Sequence, residues 1–456
     1  MTTAVRPQPG TPRAYHFPTF ERVELENGLA VVVAPVRKLP IVSVMLLCDA
    51  GGGTDAAPAD GLAALTNAVL AEGTSQLTGA ELTERLERLG AAVTPATDWD
   101  TGVLSLTVLR SRLVEAMSLF AAVVLDPQFP EREVERLKAE RLAELLQLEA
   151  EPRGLADDMF TRFLYATGSR YGLPEEGSSA GISSLDRPAL VRFHRERYRP
   201  GGSTLVMVGD LSMSDGVTIA RNAFGAWTGR ADPSRPVDDR PARLERATHI
   251  VAKPDAPQSE LRIGHVGLPR SAPDYFPVLV MNAVLGGLFS SRINLNLREA
   301  HAYTYGASSG FEWRRGAGPF LVSTAVRSDV TDAAAREVVR EIERMRSEPI
   351  TNDELTLATS YLVGVFPIKY ETTEAIARAL SALVIYGLPD DYFDSYRDHV
   401  RSVTIADVQK AAAAHLHPGE LQLLAVGDPA VVRAPLGKLD FGPVTLYDTR
   451  GAVVDA

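Results

Sequence analysis

Imidazole is a common general base and the commonest zinc ligand, so the histidines come first. There are eight: His16, His194, His249, His265, His301, His399, His415 and His417. No two stand four apart, the spacing that places two imidazoles on one helix face for zinc. His415 and His417 are two apart and Pro418 follows, which ends a helix there. Each is read as a core or surface histidine. The single cysteine, Cys48, closes the apolar run Val42–Cys48, so neither an intrachain disulfide nor a cysteine metal cluster can form. A thiol in such a run is a buried small hydrophobe and a poor nucleophile. The glycines at 51–53 and at 286–287 do not continue into a phosphate-binding pattern. Judged on local chemistry alone, the chain is not a self-sufficient enzyme.

The elements that would position a site are legible as hydrophobic periodicity and punctuation. Val23–Glu26 and Leu29–Val33 flank Asn27-Gly28, a two-residue hairpin signal. Val42–Cys48 predicts a buried strand, Ala63–Ala71 an apolar helix, and Thr78-Gly79-Ala80-Glu81 a capping box opening a second helix that Gly90 ends. Leu104, Leu106 and Val108 alternate with Val103, Ser105 and Thr107 as in a half-buried strand, and residues 130–149 form a long amphipathic helix. Later, 320–326 reads as a strand, 333–345 as a helix, and Thr351–Glu354 as another capped helix start. Strands interrupted by helices predict an α+β class with mainly antiparallel sheets.

Those elements recur. Tyr198-Arg199-Pro200-Gly201 with Leu205–Asp210 returns as Leu416-His417-Pro418-Gly419 with Leu423–Asp428, at an offset of 218 (Pro200 to Pro418, Asp210 to Asp428). A helical stretch precedes each copy, 186–197 and 404–415, the second opened by Thr404 and Asp407. Asn67-Ala68-Val69-Leu70 is echoed by Asn282-Ala283-Val284-Leu285. Three segments in one order at nearly one spacing predict two homologous lobes around a cleft. The expected division is 1–228, a proline-rich linker over 229–247, and 248–456.

Composition bounds the rest. The 456 residues suit two to four domains, and 45% hydrophobic with 23% charged residues fits large buried cores. A net charge of −11 gives nucleic-acid binding no electrostatic support. No run approaches the roughly 18 uninterrupted apolar residues of a membrane span. The N-terminal residues lack the apolar core of a signal peptide, so a cytoplasmic location is expected.

Gly61-Leu62-Ala63-Ala64-Leu65-Thr66-Asn67-Ala68, followed by Glu72-Gly73-Thr74, resembles the zinc helix of the pitrilysin/insulinase-type peptidases, the inverzincins. That family writes Gly-Leu-Ala-His-x-x-Glu-His there. Its two histidines would fall at Ala64 and Ala68 and its general-base glutamate at Asn67, so all three are replaced. Alanine offers no lone pair, and a carboxamide cannot take a proton from zinc-bound water. Glu144 resembles the family's third ligand; one carboxylate cannot hold zinc, and it is expected to be an ordinary helix-surface residue. The resemblance covers most of 20–440 and extends to a second signature. Leu285-Gly286-Gly287 leads through Ser290-Ser291-Arg292 to Asn296-Leu297-Arg298-Glu299 and Ala302-Tyr303-Thr304-Tyr305-Gly306. Arg298 and Tyr305 there resemble the pair that active members hold across the cleft from zinc, where the phenol can donate to a peptide carbonyl or its oxyanion. Tyr303 competes for the tyrosine role. The plainer alternative pairs Arg298 with a carboxylate such as Glu299 or Glu312 and lets Tyr305 pack.

What the resemblance implies is a non-catalytic subunit of a heteromeric zinc endopeptidase. Arg298 and Tyr305 would serve an extended peptide, while a homologous partner would carry His-x-x-Glu-His and the zinc; no cofactor is expected in this chain. The competing expectation is a structural or peptide-binding homodimer of the same fold, like the respiratory core subunits.

Overall fold

A computed structural model describes residues 15–455. The first half runs β1 (Glu21–Glu24), β2 (Ala30–Pro35), β3 (Ile41–Cys48), α1 (Leu62–Val69), α2 (Gly79–Arg88), β4 (Val93–Thr97) and β5 (Gly102–Leu109). It continues through α3 (Leu113–Leu125), α4 (Glu131–Ala150), α5 (Pro152–Leu164), α6 (Ser179–Ser184), α7 (Arg187–Arg197), β6 (Ser203–Gly209) and α8 (Met213–Phe224). The second half repeats the plan with β7 (Ala247–Ala252), β8 (Gln258–Val266), α9 (Tyr275–Asn282), α10 (Arg292–Asn294), β9 (Ala307–Phe311) and β10 (Pro319–Arg327). Then come α11 (Thr331–Ser347), α12 (Asn352–Lys369), α13 (Thr373–Tyr386), α14 (Tyr392–Ser402), α15 (Ile405–His415), β11 (Gln422–Gly427) and α16 (Pro429–Gly437). The hairpin β12 (Val444–Tyr447) and β13 (Val453–Asp455) ends the described chain.

Each half builds one sheet, in the orders β1-β2-β6-β3-β5-β4 and β13-β12-β7-β11-β8-β10-β9. Over the five strands β2-β6-β3-β5-β4 and β7-β11-β8-β10-β9 the pairing sense repeats. β2 lies parallel to β6 as β7 lies parallel to β11, and β6-β3-β5-β4 is antiparallel throughout, as is β11-β8-β10-β9. The fold is α+β with mainly antiparallel sheets. Local rules set the boundaries: capping boxes open α2 (Thr78, Glu81), α8 (Ser212, Asp215), α12 (Thr351, Glu354) and α15 (Thr404, Asp407).

One face of each sheet packs against helices of its own half. The other face is covered by a helix from the opposite half. α13 lies on β3 and β6, where Ile376, Leu380 and Leu383 meet Val32, Met45, Leu47, Val206 and Val208. Reciprocally, α5 lies on β8 and β11, where Leu155, Met159 and Phe160 meet Val251, Leu424 and Val426. This exchange explains why β3 and β6 are buried along nearly their whole length. The two lobes are latched together by reciprocal helices.

The expected linker is laid down on both halves. Ser234 donates from its N and Oγ to Asp49, Ala166 N donates to Arg240 O, and Asp239 accepts from Ala317 N at 2.7 Å. Its last residue, Ala247, already belongs to β7. The helical path 275–300 has the length and mean hydropathy (1.4) of a membrane span, but 61% of its most apolar window is buried in the protein. It is also interrupted at Leu288–Ser291, so it behaves as a core segment.

Candidate functional site

α1 starts at Gly61, whose φ of +95° suits glycine; a Cβ there would stand 2.4 Å from Ile182 Cδ1. Its free N–H groups are met by the buried Asp55 carboxylate, which accepts from Gly61 N (2.7 Å) and Ala63 N (2.9 Å). Burial pushes that carboxyl up to about 6, against the pull of Arg170. So fixed, α1 presents Ala64, Leu65 and Ala68 to a cavity of about 170 Å³. Leu137, Glu140, Arg141 and Glu144 of α4, with Glu176 and Ile182, complete the lining.

Three of the four expected zinc-site positions, Ala64, Ala68 and Glu144, thus converge on one cavity. The fourth, Asn67, does not line it. Its side chain turns into the protein, 1% exposed, and its Nδ2 donates to Ala96 O (2.7 Å), Thr97 Oγ1 (3.1 Å) and Val103 O (3.2 Å). Its Oδ1 accepts from the Tyr198 hydroxyl at 3.1 Å. Asn67 bolts α1 to the β4–β5 hairpin.

The cavity does not fit zinc. Two of the positions that would be ligands are methyl groups, and the remaining carboxylate is engaged. Arg141 Nη1 lies 3.1 Å from Glu144 Oε2 and 2.9 Å from Glu176 Oε2. Among the described residues no group of three or more His, Cys, Asp or Glu side chains is placed to hold a metal ion. Glu144 itself is 62% exposed, a helix-surface residue in an ion pair. Sequence reasoning passed over Arg141, although its i, i+3 spacing to Glu144 on a helix was there to be seen; Glu176 gave no such signal.

The second signature is held rigidly at its base. Arg292 forms a two-bond pair with Glu354 (2.6 and 3.0 Å), and Arg292 holds that carboxyl down to about 2. Asn294 donates to Phe289 O and accepts from Ala307 N, joining the turn after 287 to the start of β9. Arg298 lies with its guanidinium 4.5 Å from the Phe289 ring and its Nε 3.6 Å from Glu299 Oε1, while its Nη1 is buried without an acceptor. Glu312 is taken by Arg314 at 2.6 Å. Tyr303 stacks on His301 and packs on the second core. Tyr305 does not pack: it is 94% exposed.

Other nucleophile candidates fall away. Burial pushes the Cys48 thiol up to about 12. Gly-x-Ser-x-Gly was expected to be absent, but its letters do occur, at 177–181 around Ser179 and at 306–310 around Ser308. Neither forms a strand-to-helix elbow. Ser179 is the first residue of the short helix α6, entered from a loop rather than a strand, and Ser308 lies inside β9.

Known proteins share sequence and fold with this chain. The family model described as insulinase (peptidase family M16) matches residues 31–174, and that described as peptidase M16 inactive domain matches 184–362. An uncharacterized zinc protease of Mycobacterium bovis is 25% identical over 415 residues, 90% of this chain and 93% of that one. A probable mitochondrial-processing peptidase subunit beta of Schizosaccharomyces pombe is 25% identical over 275 residues, 59% of each chain. A crystal structure from Pseudomonas fluorescens, described as a peptidase M16 inactive domain, superposes with a TM-score of 0.84 at 28% identity, covering 90% of this chain and 98% of that one. A chain of complex III2 from Candida albicans shares the fold, with a TM-score of 0.77 at 14% identity, covering 92% and 99%. The chain belongs to the pitrilysin/insulinase-type peptidase superfamily, and its own zinc-helix positions carry no metal ligand.

Proposed function

We propose that this chain is the non-catalytic subunit of a heteromeric zinc metalloendopeptidase. Its homologous partner would carry His-x-x-Glu-His and the zinc, and this chain would contribute Arg298 and Tyr305 to the peptide. The observation that carries the reading is the contrast between the two signatures. The zinc-helix positions are methyl groups beside an ion-paired arginine, while Tyr305 stands free in solvent. A free phenol can donate to a peptide carbonyl and more strongly to the oxyanion that replaces it. The Nη1–H of Arg298 is buried and unpartnered, a donor that a backbone carbonyl would satisfy once the side chain swung out toward the peptide. An extended substrate would be bound as a strand against a sheet edge.

The test is to isolate the tagged chain from its native cells, identify stoichiometric companions, and reconstitute the pair. A companion of similar size bearing His-x-x-Glu-His, with peptide cleavage only by the mixture, is the expected result. Tyr305→Phe is then expected to lower kcat of the mixture by about 100-fold. Cleavage by this chain alone, or an unchanged kcat in the variant, would sink the proposal. The likeness to a complex III2 chain favours one other reading, a structural subunit without hydrolysis, which recovery of respiratory proteins would support.

A further inference from the structure

The cavity beneath α1 holds a cation of its own. Arg141 is only 18% exposed, and a single nitrogen, Nη1, reaches both Glu144 on α4 and Glu176 in the loop before α6. That loop is in turn fastened to the start of α1: Ser178 N donates to Asp60 Oδ2 at 2.6 Å, and Glu176 O lies 2.9 Å from where a Cβ on Gly61 would sit. A bound metal would cross-link α1 to α4 at this place. The present chain makes an equivalent link with a guanidinium, through Glu176 and its loop.

We infer that Arg141 has replaced the metal ion as the cation that ties α4 to the start of α1, and that it now keeps metal out of this cavity. A guanidinium keeps its charge at any pH a protein experiences, so the link does not depend on metal supply or protonation. It also claims the only carboxylate that the zinc site would have used. A divalent ion brought to Glu144 would meet a fixed positive charge a few ångströms away, in a pocket with an apolar floor of Ala64, Leu65, Ala68 and Ile182. Restoring two histidines would therefore leave a site still opposed by Arg141.

The inference rests on reading this cavity as a vacated zinc site. Its test measures metal affinity and local stability, so it stands or falls apart from any reconstituted cleavage. Zinc chloride is titrated calorimetrically into the full chain carrying Ala64→His and Ala68→His, and into the same variant with Arg141→Met added. Methionine keeps most of the arginine stem's packing. The triple variant is expected to bind zinc at least about tenfold tighter than the double, the size of effect a ligand's neighbouring charge commonly has. Equal affinities would overturn the inference. Where the histidine pair prevents folding, the single Arg141→Met variant carries the test: amides of α1 and of 173–178 are expected to lose protection from hydrogen exchange, and unchanged protection would overturn it.

Discussion

Asn67 and Asn282 give the clearest view of what the duplication preserved. Both stand in the last turn of a helix and both reach to an edge strand. Asn67 Nδ2 donates to Ala96 O on β4, while Asn282 Nδ2 donates to Ser309 O on β9 at 3.0 Å and its Oδ1 accepts from Ser309 Oγ at 2.7 Å. The half with no resemblance to a zinc helix thus uses asparagine for the same fastening, so Asn67 has a structural job of its own. The sequence made the asparagine visible as a lost base, and chemistry alone could not say which way its side chain pointed. Asn67→Asp is expected to cost about 2–4 kcal/mol at neutral pH, because a buried carboxylate would face the Ala96 and Val103 carbonyl oxygens with only the Tyr198 and Thr97 hydroxyls as donors. Burial would raise the new carboxyl's pKa in the folded state, so the penalty should shrink as pH falls toward its unfolded value of about 3.9. Urea unfolding at pH 4.5 and 7.5 measures this, and a pH-independent loss would refute it.

Among the elements, those with strong local chemistry were legible and those made by contact were not. Capping residues, the alternation of β5 and the length of α4 follow from the sequence because each depends on neighbours within a few positions. The hairpin tips show the limit. Asp98-Trp99-Asp100 and Glu312-Trp313-Arg314-Arg315 occupy equivalent turns, and they meet. Arg315 Nη1 lies 2.6 Å from Asp49, its N donates to Asp100 Oδ2, and Arg314 is held between the Trp99 and Tyr171 rings. β8 carries a comparable long-range tie in His265, whose Nδ1 donates to Val266 O (2.8 Å) and whose Nε2 accepts from His417 N (3.1 Å). Burial lowers this imidazole to about 4, and a proton on Nε2 would in addition face the His417 N–H. The folded pKa lies below the unfolded value of about 6.5, so stability from this residue is whole above that value and is lost as pH falls through about 4. His265→Gln should flatten the stability slope between pH 6.5 and 4 by up to about 1.4 kcal/mol per pH unit relative to the native chain. His194 and His249, also lowered to about 4 by burial, remain in both proteins and cancel. Parallel slopes in a urea series would count against this assignment.

The whole molecule owes its unity to the exchange of α5 and α13. The continuous apolar run of Val42–Cys48 did announce a strand buried on both faces, but no local pattern could name the second cover, which lies about 330 residues away in the chain (Ser43 to Thr373, 2.8 Å apart). Independent lobes on a flexible tether would unfold separately; halves that each complete the other's sheet should not. Leu380, 1% exposed on α13, packs on the first half's sheet, and truncating it removes most of a buried side chain there. Leu380→Ala is expected to cost about 2–5 kcal/mol and to leave unfolding a single transition, with calorimetric and van't Hoff enthalpies equal. Amide protection should fall together in β3 and β6 of the first half and in β8 and β11 of the second, because opening α13 also frees the partner that α5 needs. Loss confined to the second half, or two resolved transitions, would mean that the lobes are only neighbours.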